Sequence, residues 1–372
     1  MPMLRFALLL LGSALLIFAQ AQPSTLFVGT YTADGSHGIY VLQFNTATGG
    51  LTLVDSIASS NPSYLAFHAG SQRLYAVNEN AGAQPGMLST FLRNGTTGRW
   101  ERMSEVATGG DHPCYVSLNK GANHVLAANY SGGSLAAFPL DLMGMPGTPL
   151  LMQHSGRSIN EARQTAPHVH TAIFSPDEQY VLTADLGTDE VVVYPYKATS
   201  AQGIDTAHRI RNKLTPGSGP RHLVFHPRLP VLYVMEELSG KVSAHRFYKG
   251  KLSPLQSILA DRISVQPGSA DIHISPDGRF LYCSNRADAN NIAVFDVQPG
   301  SGKLSYSNQQ SSGGLRPRNF CIDPSGRYLL VANQSSHRIV VFRINTATGL
   351  PEPLGQELAL PSPVCLLFAQ VK

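Results

Sequence analysis

The residues with chemical potential recur at matched places along this sequence. Short apolar runs open beside a proline, and the polar residues entering them are His112, then His168 and His170, then Arg221 and His222, then Asp271 and His273, then Arg318 and Asn319. A second set closes the apolar run that follows: Asn78-Glu79, Asn129-Tyr130, Asp185, Glu236-Glu237, Asn285-Arg286 and Asn333-Gln334. Arg163 lies just upstream of the His168 run. Imidazoles and carboxylates can move protons near neutral pH when their surroundings tune them. Guanidinium groups hold carboxylates and phosphates through paired hydrogen bonds. Cationic groups predominate in the first set, which suits an anionic ligand.

Asn or Asp ending a strand is ordinary turn chemistry, so Asn78, Asn129, Asn285 and Asn333 read as structural. A succession of His or Arg at the same place in adjacent units reads as one functional mouth. His168-x-His170 with His222 and His273 invites comparison with a metal site, but the spacing is that of the repeat and not of a compact ligand motif. No metal and no cofactor is therefore expected. The chain has no Gly-rich phosphate loop before a helix and no Gly-x-Ser-x-Gly elbow, so nucleotide binding and serine hydrolase chemistry gain no support.

The elements that must position these residues follow from an internal repeat. One phrase is a Pro-bearing turn, an apolar strand, a second turn and a strand ending in a polar residue. It appears as Asn61–Phe67 with Leu74–Asn78, as Gly219–Phe225 with Leu232–Glu236, and as Arg316–Ile322 with Leu329–Asn333. Anchors on the second strand fall at Phe27, Tyr75, Leu126, Leu182, Tyr233, Tyr282 and Leu330, separated by 48, 51, 56, 51, 49 and 48 residues. Seven such units predict an all-β fold, a seven-bladed β-propeller of four-stranded blades. The chain reaches a second-type strand, Leu26–Thr30, with no first-type strand before it, and the missing strand stands at the far end as Ser362–Phe368. The C-terminal strand is thus expected to close the first blade and remove a free sheet edge. In each blade the start of the first strand and the end of the second share one end of the sheet, because the pair is antiparallel. Gly144–Gly147 and Asn308–Gly314 read as turns between strands.

Composition agrees with this architecture. Of 372 residues only 14% are charged and 43% are hydrophobic, with 34 Gly and 25 Pro. Disorder and coiled coil need the opposite balance, and a net charge of +4 is too mild for a nucleic-acid partner. Residues 1–21 read as a signal peptide: Arg5, an apolar stretch from Phe6 to Phe18, and Ala19-Gln20-Ala21 as the cleavage pattern. The apolar stretch is shorter than the roughly 20 residues of a spanning helix. Residues 22–372 are then one exported propeller domain, periplasmic or secreted, with no membrane insertion after signal removal. Cys114, Cys283, Cys321 and Cys365 sit in apolar runs without ligand spacing and read as buried thiols.

Several strings are more specific. Arg163–His170 (RQTAPHVH), Ala184–Asp189 (ADLGTD), Gly217–His222 (GSGPRH), Ser275–Tyr282 (SPDGRFLY), Arg316–Phe320 (RPRNF) and Phe27–Thr32 (FVGTYT) together resemble the seven-bladed lactonase family. That family includes bacterial cycloisomerase-type 6-phosphogluconolactonases and the fungal carboxymuconate lactonizing enzyme. The resemblance covers essentially the whole chain beyond the signal segment and implies metal-independent opening or closing of a lactone ring. It places the family's acid/base and anion-binding positions on His170, Glu237, Arg221 and Arg286, with His168, His222, Asp185 and Arg318 nearby. Arg163, Asp271, His273 and Asn319 join these as substrate-binding candidates from their place in the repeat. The expected function is hydrolysis of a small anionic or sugar δ-lactone, with His170 or Glu237 as general base. The alternatives are a non-catalytic exported binding propeller and a muconate-type lactonizing enzyme. The family's usual Asn-Glu-Leu stands here as Glu236-Glu237-Leu238, and a second carboxylate there is expected to repel an anion or to raise its neighbour's pKa. Export also separates the chain from phosphorylated cytosolic sugars, so the family's substrate does not carry over by itself.

Overall fold

The computed structural model describes residues 24–200 and 203–369; the expected signal peptide, residues 1–21, lies outside them. Twenty-eight strands form seven four-stranded antiparallel sheets arranged in a ring, the seven-bladed propeller. The innermost strands are β4 (Pro62–His68), β8 (Pro113–Leu118), β12 (Val169–Phe174), β16 (Pro220–Phe225), β20 (Ser269–Ile274), β24 (Pro317–Ile322) and β28 (Pro363–Phe368). Each touches the innermost strands of the blades on both sides, so together they line a central channel. Five of the seven begin on proline. Proline lacks the donor that a ladder interior needs and fits a strand's first position.

The second strands are β1 (Ser24–Thr30), β5 (Arg73–Asn78), β9 (His124–Asn129), β13 (Tyr180–Asp185), β17 (Val231–Glu236), β21 (Phe280–Asn285) and β25 (Tyr328–Asn333). They are almost wholly buried, as strands with neighbours in their own sheet and blades on both faces must be. The C-terminal β28 pairs with β1, with Leu26 opposite Phe368 and Gly29 opposite Cys365, so the first blade is closed by both ends of the chain.

Apolar clusters lie between blades. Leu26, Phe44 and Phe368 of the first blade pack with Leu330 and Val341 of the last. Burying one such side chain is worth about 1.5–3 kcal/mol, and the interdigitation recurs around the ring. A polar latch accompanies it. Tyr75, Tyr233, Tyr282 and Tyr328 donate their hydroxyls to the carbonyls of Gly144, Gly302, Gly349 and Ala47, in each case on a turn of the next blade, at 2.8–3.0 Å. The last of these joins the seventh blade to the first. A buried tyrosine needs such a partner for its hydroxyl.

One local expectation changes. Asn308–Gly314 is not all turn, because β23 spans Leu304–Ser311. The outermost strand of a blade is paired along one edge only and largely exposed, so its polar composition disguises it as a loop.

Candidate active site

The entry to each inner strand is irregular in the same way. The register with the second strand skips one residue between Pro62 and Tyr64, Pro113 and Tyr115, Val169 and Thr171, Pro220 and His222, and Pro317 and Asn319. In β20 it skips from Ser269 to Ile272. The bypassed residues are Ser63, Cys114, His170, Arg221, Arg318, Val364 in β28 and the pair Ala270-Asp271. A bulge re-aims a side chain that regular alternation would place elsewhere. The last residue of each second strand stands opposite the first residue of the inner strand, as in Pro62 with Asn78 and Pro220 with Glu236. The residue after it then turns over the channel mouth: Glu79, Tyr130, Glu237 and Arg286.

These two sets meet around a cavity of about 620 Å³. Its lining includes Cys114, His170 and Arg318 from the bulges, Glu79, Tyr130, Glu237 and Arg286 from the strand ends, and Arg163 and Arg316 from loops. Asp189 shapes one side. Its carboxylate accepts from the backbone of Gly217 and Gly219 at 2.6 Å, from Ser218 Oγ at 3.0 Å and from Gln164 Nε2 at 2.8 Å. That ties the Arg163 loop to the turn that delivers Arg221. Gly219 is required there, since its φ is +63° and an added Cβ would lie 2.5 Å from Leu238 Cγ.

Glu237 is the electrostatic centre. Its Oε1 accepts from Arg163 Nη2 at 2.8 Å, and its Oε2 lies 2.9 Å from Arg221 Nε and 3.0 Å from Arg286 Nη2. Burial alone would raise this carboxyl, but Arg286, Arg221 and Arg163 outweigh it and hold it at about 2. The expectation that Glu236 would raise its neighbour's pKa is corrected here. Glu236 accepts from Ser239 Oγ at 2.6 Å and serves the turn, while Glu237 turns to the arginines.

A second pair stands across the cavity. Arg318 Nη2 lies 3.5 Å from Glu79 Oε2, which also accepts from the Tyr31 hydroxyl at 2.9 Å, and the guanidinium lies over the Tyr31 ring at 5.3 Å. His170 is buried between these charges. Burial first, then Arg221, His222 and Arg318, push its pKa well below the ordinary imidazole value, so the ring is neutral at physiological pH. Burial also pushes Arg286 down to about 9, with Glu237 opposing, and leaves it cationic at neutral pH.

Of the residues singled out in the sequence, His170, Glu237, Arg286, Arg163 and Arg318 line this cavity, and Arg221 stands directly behind Glu237. His168 stacks on Tyr130 at 4.5 Å and contacts the Tyr130 carbonyl through Nδ1 at 3.1 Å. The others are elsewhere. Asp185 is fully buried, accepts from the backbone of His168, Gly187 and Thr188, and contacts His154 Nδ1 at 2.8 Å. It does the loop-holding work that Asn78, Asn285 and Asn333 do at the same position. His222, Asp271 and Asn319 form a buried network lower in the channel. His273 lines a separate cavity of about 980 Å³ at the opposite mouth. Cys114, expected as a packing thiol, reaches the site and lies 3.7 Å from His170 Nδ1. Glu79 and Tyr130 of the second set line the cavity as well, and Tyr31, which belongs to neither set, is the residue that sequence reasoning misses, although its place immediately after a second strand is its signal. Among the described residues no group of three or more His, Cys, Asp or Glu side chains could hold a metal ion.

Comparison with known proteins bears on what this mouth does. Residues 25–368 match the family model described as a lactonase with a 7-bladed β-propeller. The chain belongs to this lactonase family. A 6-phosphogluconolactonase of Formosa agariphila is 35% identical over 340 residues, covering 90% of this chain and 96% of the relative. One of Bacillus subtilis is 34% identical over 349 residues, covering 92% and 97%. The solved structure of a periplasmic gluconolactonase of Pseudomonas aeruginosa superposes with a TM-score of 0.88 at 35% identity, over 94% of this chain and all of that one. In this lactonase-family propeller a neutral imidazole, several guanidinium groups and open volume coincide at the arginine-lined mouth.

Proposed function

We propose that the protein hydrolyses a sugar δ-lactone at the arginine-lined mouth. The observation that carries this reading is the meeting of neutral His170 with Arg286 and Arg318 around one cavity, in a chain whose family relatives are sugar lactonases. Water attacks the ring carbonyl while His170 takes its proton. Arg286 and Arg318 face the negative charge that develops on the carbonyl oxygen. The ring C–O bond then breaks and the proton passes from the imidazolium to the departing hydroxyl. An imidazolium among Arg221, Arg318 and His222 is unfavourable, which drives that return. Glu237 is a poor base with its pKa at about 2, and in this scheme it holds the arginines in place. The cationic lining suits a lactone that carries an anionic group.

The test compares gluconolactone with its 6-phosphate on the purified protein, against the spontaneous hydrolysis rate of each. A rate well above background on either supports the reading, and background rates on both refute it. Export belongs to the same proposal, supported by Arg5, the apolar stretch of residues 6–18, Ala19-Gln20-Ala21 and the similarity to a periplasmic relative. N-terminal sequencing of the protein from cells should begin at Gln22; an intact Met1 on the bulk of the protein would overturn it.

A further inference from the structure

His222 lies below the cavity, and its neighbours define both of its ring nitrogens. Nδ1 is 2.6 Å from Asp271 Oδ1, and Nε2 is 3.4 Å from Arg221 Nη1. A guanidinium has donors only, so Nε2 must be the acceptor in that contact and cannot carry hydrogen. The single proton of the neutral ring therefore sits on Nδ1 and is donated to Asp271. The remaining surroundings are the edges of Tyr64, Tyr115 and His170, at centroid distances of 5.9, 5.3 and 5.2 Å. Among the described residues, the charged or titratable groups against the ring are thus Asp271, Arg221, His170 and the two tyrosines, with His273 on the far side of Asp271.

Asp271 is itself immobilised. It accepts from its neighbour Ile272 N at 2.9 Å, from Asn319 Nδ2 at 2.5 Å and from Phe320 N at 3.2 Å, and His273 Nε2 stands 3.1 Å from its Oδ2. Asn319 in turn accepts from Leu366 N at 2.7 Å. The carboxylate is thus fixed from two blades and braced from a third. Arg221 is fully buried and cannot draw on water for its orientation. Its Nη1 also donates to Ala270 O, and its Nε faces Glu237 Oε2 at 2.9 Å.

We propose that His222 is a positioning residue for the lactone site: Asp271 holds it in the Nδ1–H tautomer, and the bare Nε2 fixes Arg221 and through it Glu237. This rests on the reading of the mouth as a lactonase site. It gives Asp271, His222 and Arg221 a common role with no contact to substrate. A doubly protonated ring would present a donor to a donor and release Arg221. Burial and Arg221, partly offset by Asp271, hold the His222 pKa at about 4, so the ring stays in the required form across the physiological range.

The test pairs spectroscopy with substitution on the full mature protein. In a long-range proton–nitrogen spectrum of histidine-labelled wild type at neutral pH, His222 should show a protonated Nδ1 and a bare Nε2. A proton on Nε2 would overturn the proposal, whatever the catalytic activity. His222→Phe should lower kcat about tenfold to a hundredfold, as loss of one hydrogen bond to a charged group does. His222→Gln, whose amide oxygen can replace Nε2 as acceptor, should recover most of that loss. Equal damage in both variants, or none in the Phe variant, refutes the proposal. If His222→Phe does not fold, Asp271→Asn serves instead: it should move the ring proton to Nε2 and lower kcat with it. An unchanged tautomer there refutes the proposal. If wild type has no lactonase activity, the functional reading fails, while the spectrum still decides the tautomer.

Discussion

Replacing Glu237 by Gln removes one negative charge from among three guanidinium groups and leaves the shape of the side chain almost unchanged. Two independent routes give the cost. The folded-state carboxyl lies at about 2 against an ordinary 4.5, and each pH unit of displacement is worth about 1.4 kcal/mol, so the carboxylate contributes about 3 kcal/mol. Breaking a buried ion pair by removing one partner costs about 3–5 kcal/mol, and here Arg221 and Arg286 are both buried. For a chain of this length, 3 kcal/mol corresponds to a fall in Tm of about 4 °C. The folded-state value lies below the unfolded one, so the stabilisation is complete above pH 4.5 and declines as pH falls. It is gone below about pH 2. Urea unfolding of wild type and variant at a series of pH values isolates the term, because every other titrating group is common to both. The gap should be about 3 kcal/mol at pH 7 and should close on acidification. A variant as stable as wild type at pH 7, or a gap that is the same at pH 7 and pH 3, would show that the arginines do not depend on this carboxylate.

His170→Ala should lower kcat by about 10²–10⁴ with little change in KM, the range for loss of a general base, measured by release of acid from the lactone. A fall in affinity alone would make His170 a binding group. Arg318→Met should raise KM about tenfold or more for a lactone bearing an anionic group, through loss of a charge-assisted contact, and much less for a neutral one; equal effects on both would remove Arg318 from anion recognition. Gly219→Ala forces a side chain into left-handed backbone 2.5 Å from Leu238 Cγ and should cost about 1–3 kcal/mol in urea unfolding. Because the Gly219 carbonyl accepts from Glu237 N at 2.7 Å, its turnover should fall too. Chelation with excess EDTA should leave lactonase activity unchanged, and loss restored by a divalent cation would overturn the metal-free scheme.

The propeller was legible because its units announce themselves twice. Second strands buried on both faces must be apolar, and their anchors Phe27, Tyr75 and Leu126 recur at nearly even spacing. The C-terminal strand was legible for a related reason, since the first blade lacked an inner strand. That first-strand starts and second-strand ends share one mouth also followed from strand direction. What sequence did not resolve is which of two adjacent polar residues faces the cavity. Arg221 and His222 are neighbours, yet the register skip bypasses Arg221 and leaves His222 in the ladder. The bulged residue, Arg221, reaches Glu237 at the mouth, while its neighbour His222 pairs with Asp271. His273 lies two residues beyond Asp271, about 7 Å further along the strand, and that step carries it to the opposite cavity. Cys114 was hidden for the converse reason. It looks like a core residue, but it occupies the bulge that His170 occupies one blade later.

This repeated bulge explains how a uniform scaffold supports an irregular site. A regular inner strand would alternate its side chains between the two neighbouring blades, where packing demands apolar groups. A bypassed residue is exempt from that demand, so Ser63, Cys114, His170, Arg221 and Arg318 differ widely in chemistry while the ladders around them stay alike. The position just after the second strand carries the same freedom, with Glu79, Tyr130, Glu237 and Arg286. Charge is the constraint that remains. Arg221 and Arg286 are buried and Arg318 is half-buried at one mouth, with Glu237 and Glu79 as their ion partners. Burying like charges is costly unless they are paired. Both carboxylates therefore stabilise the guanidinium groups gathered there, and the arginines still outnumber them at the mouth.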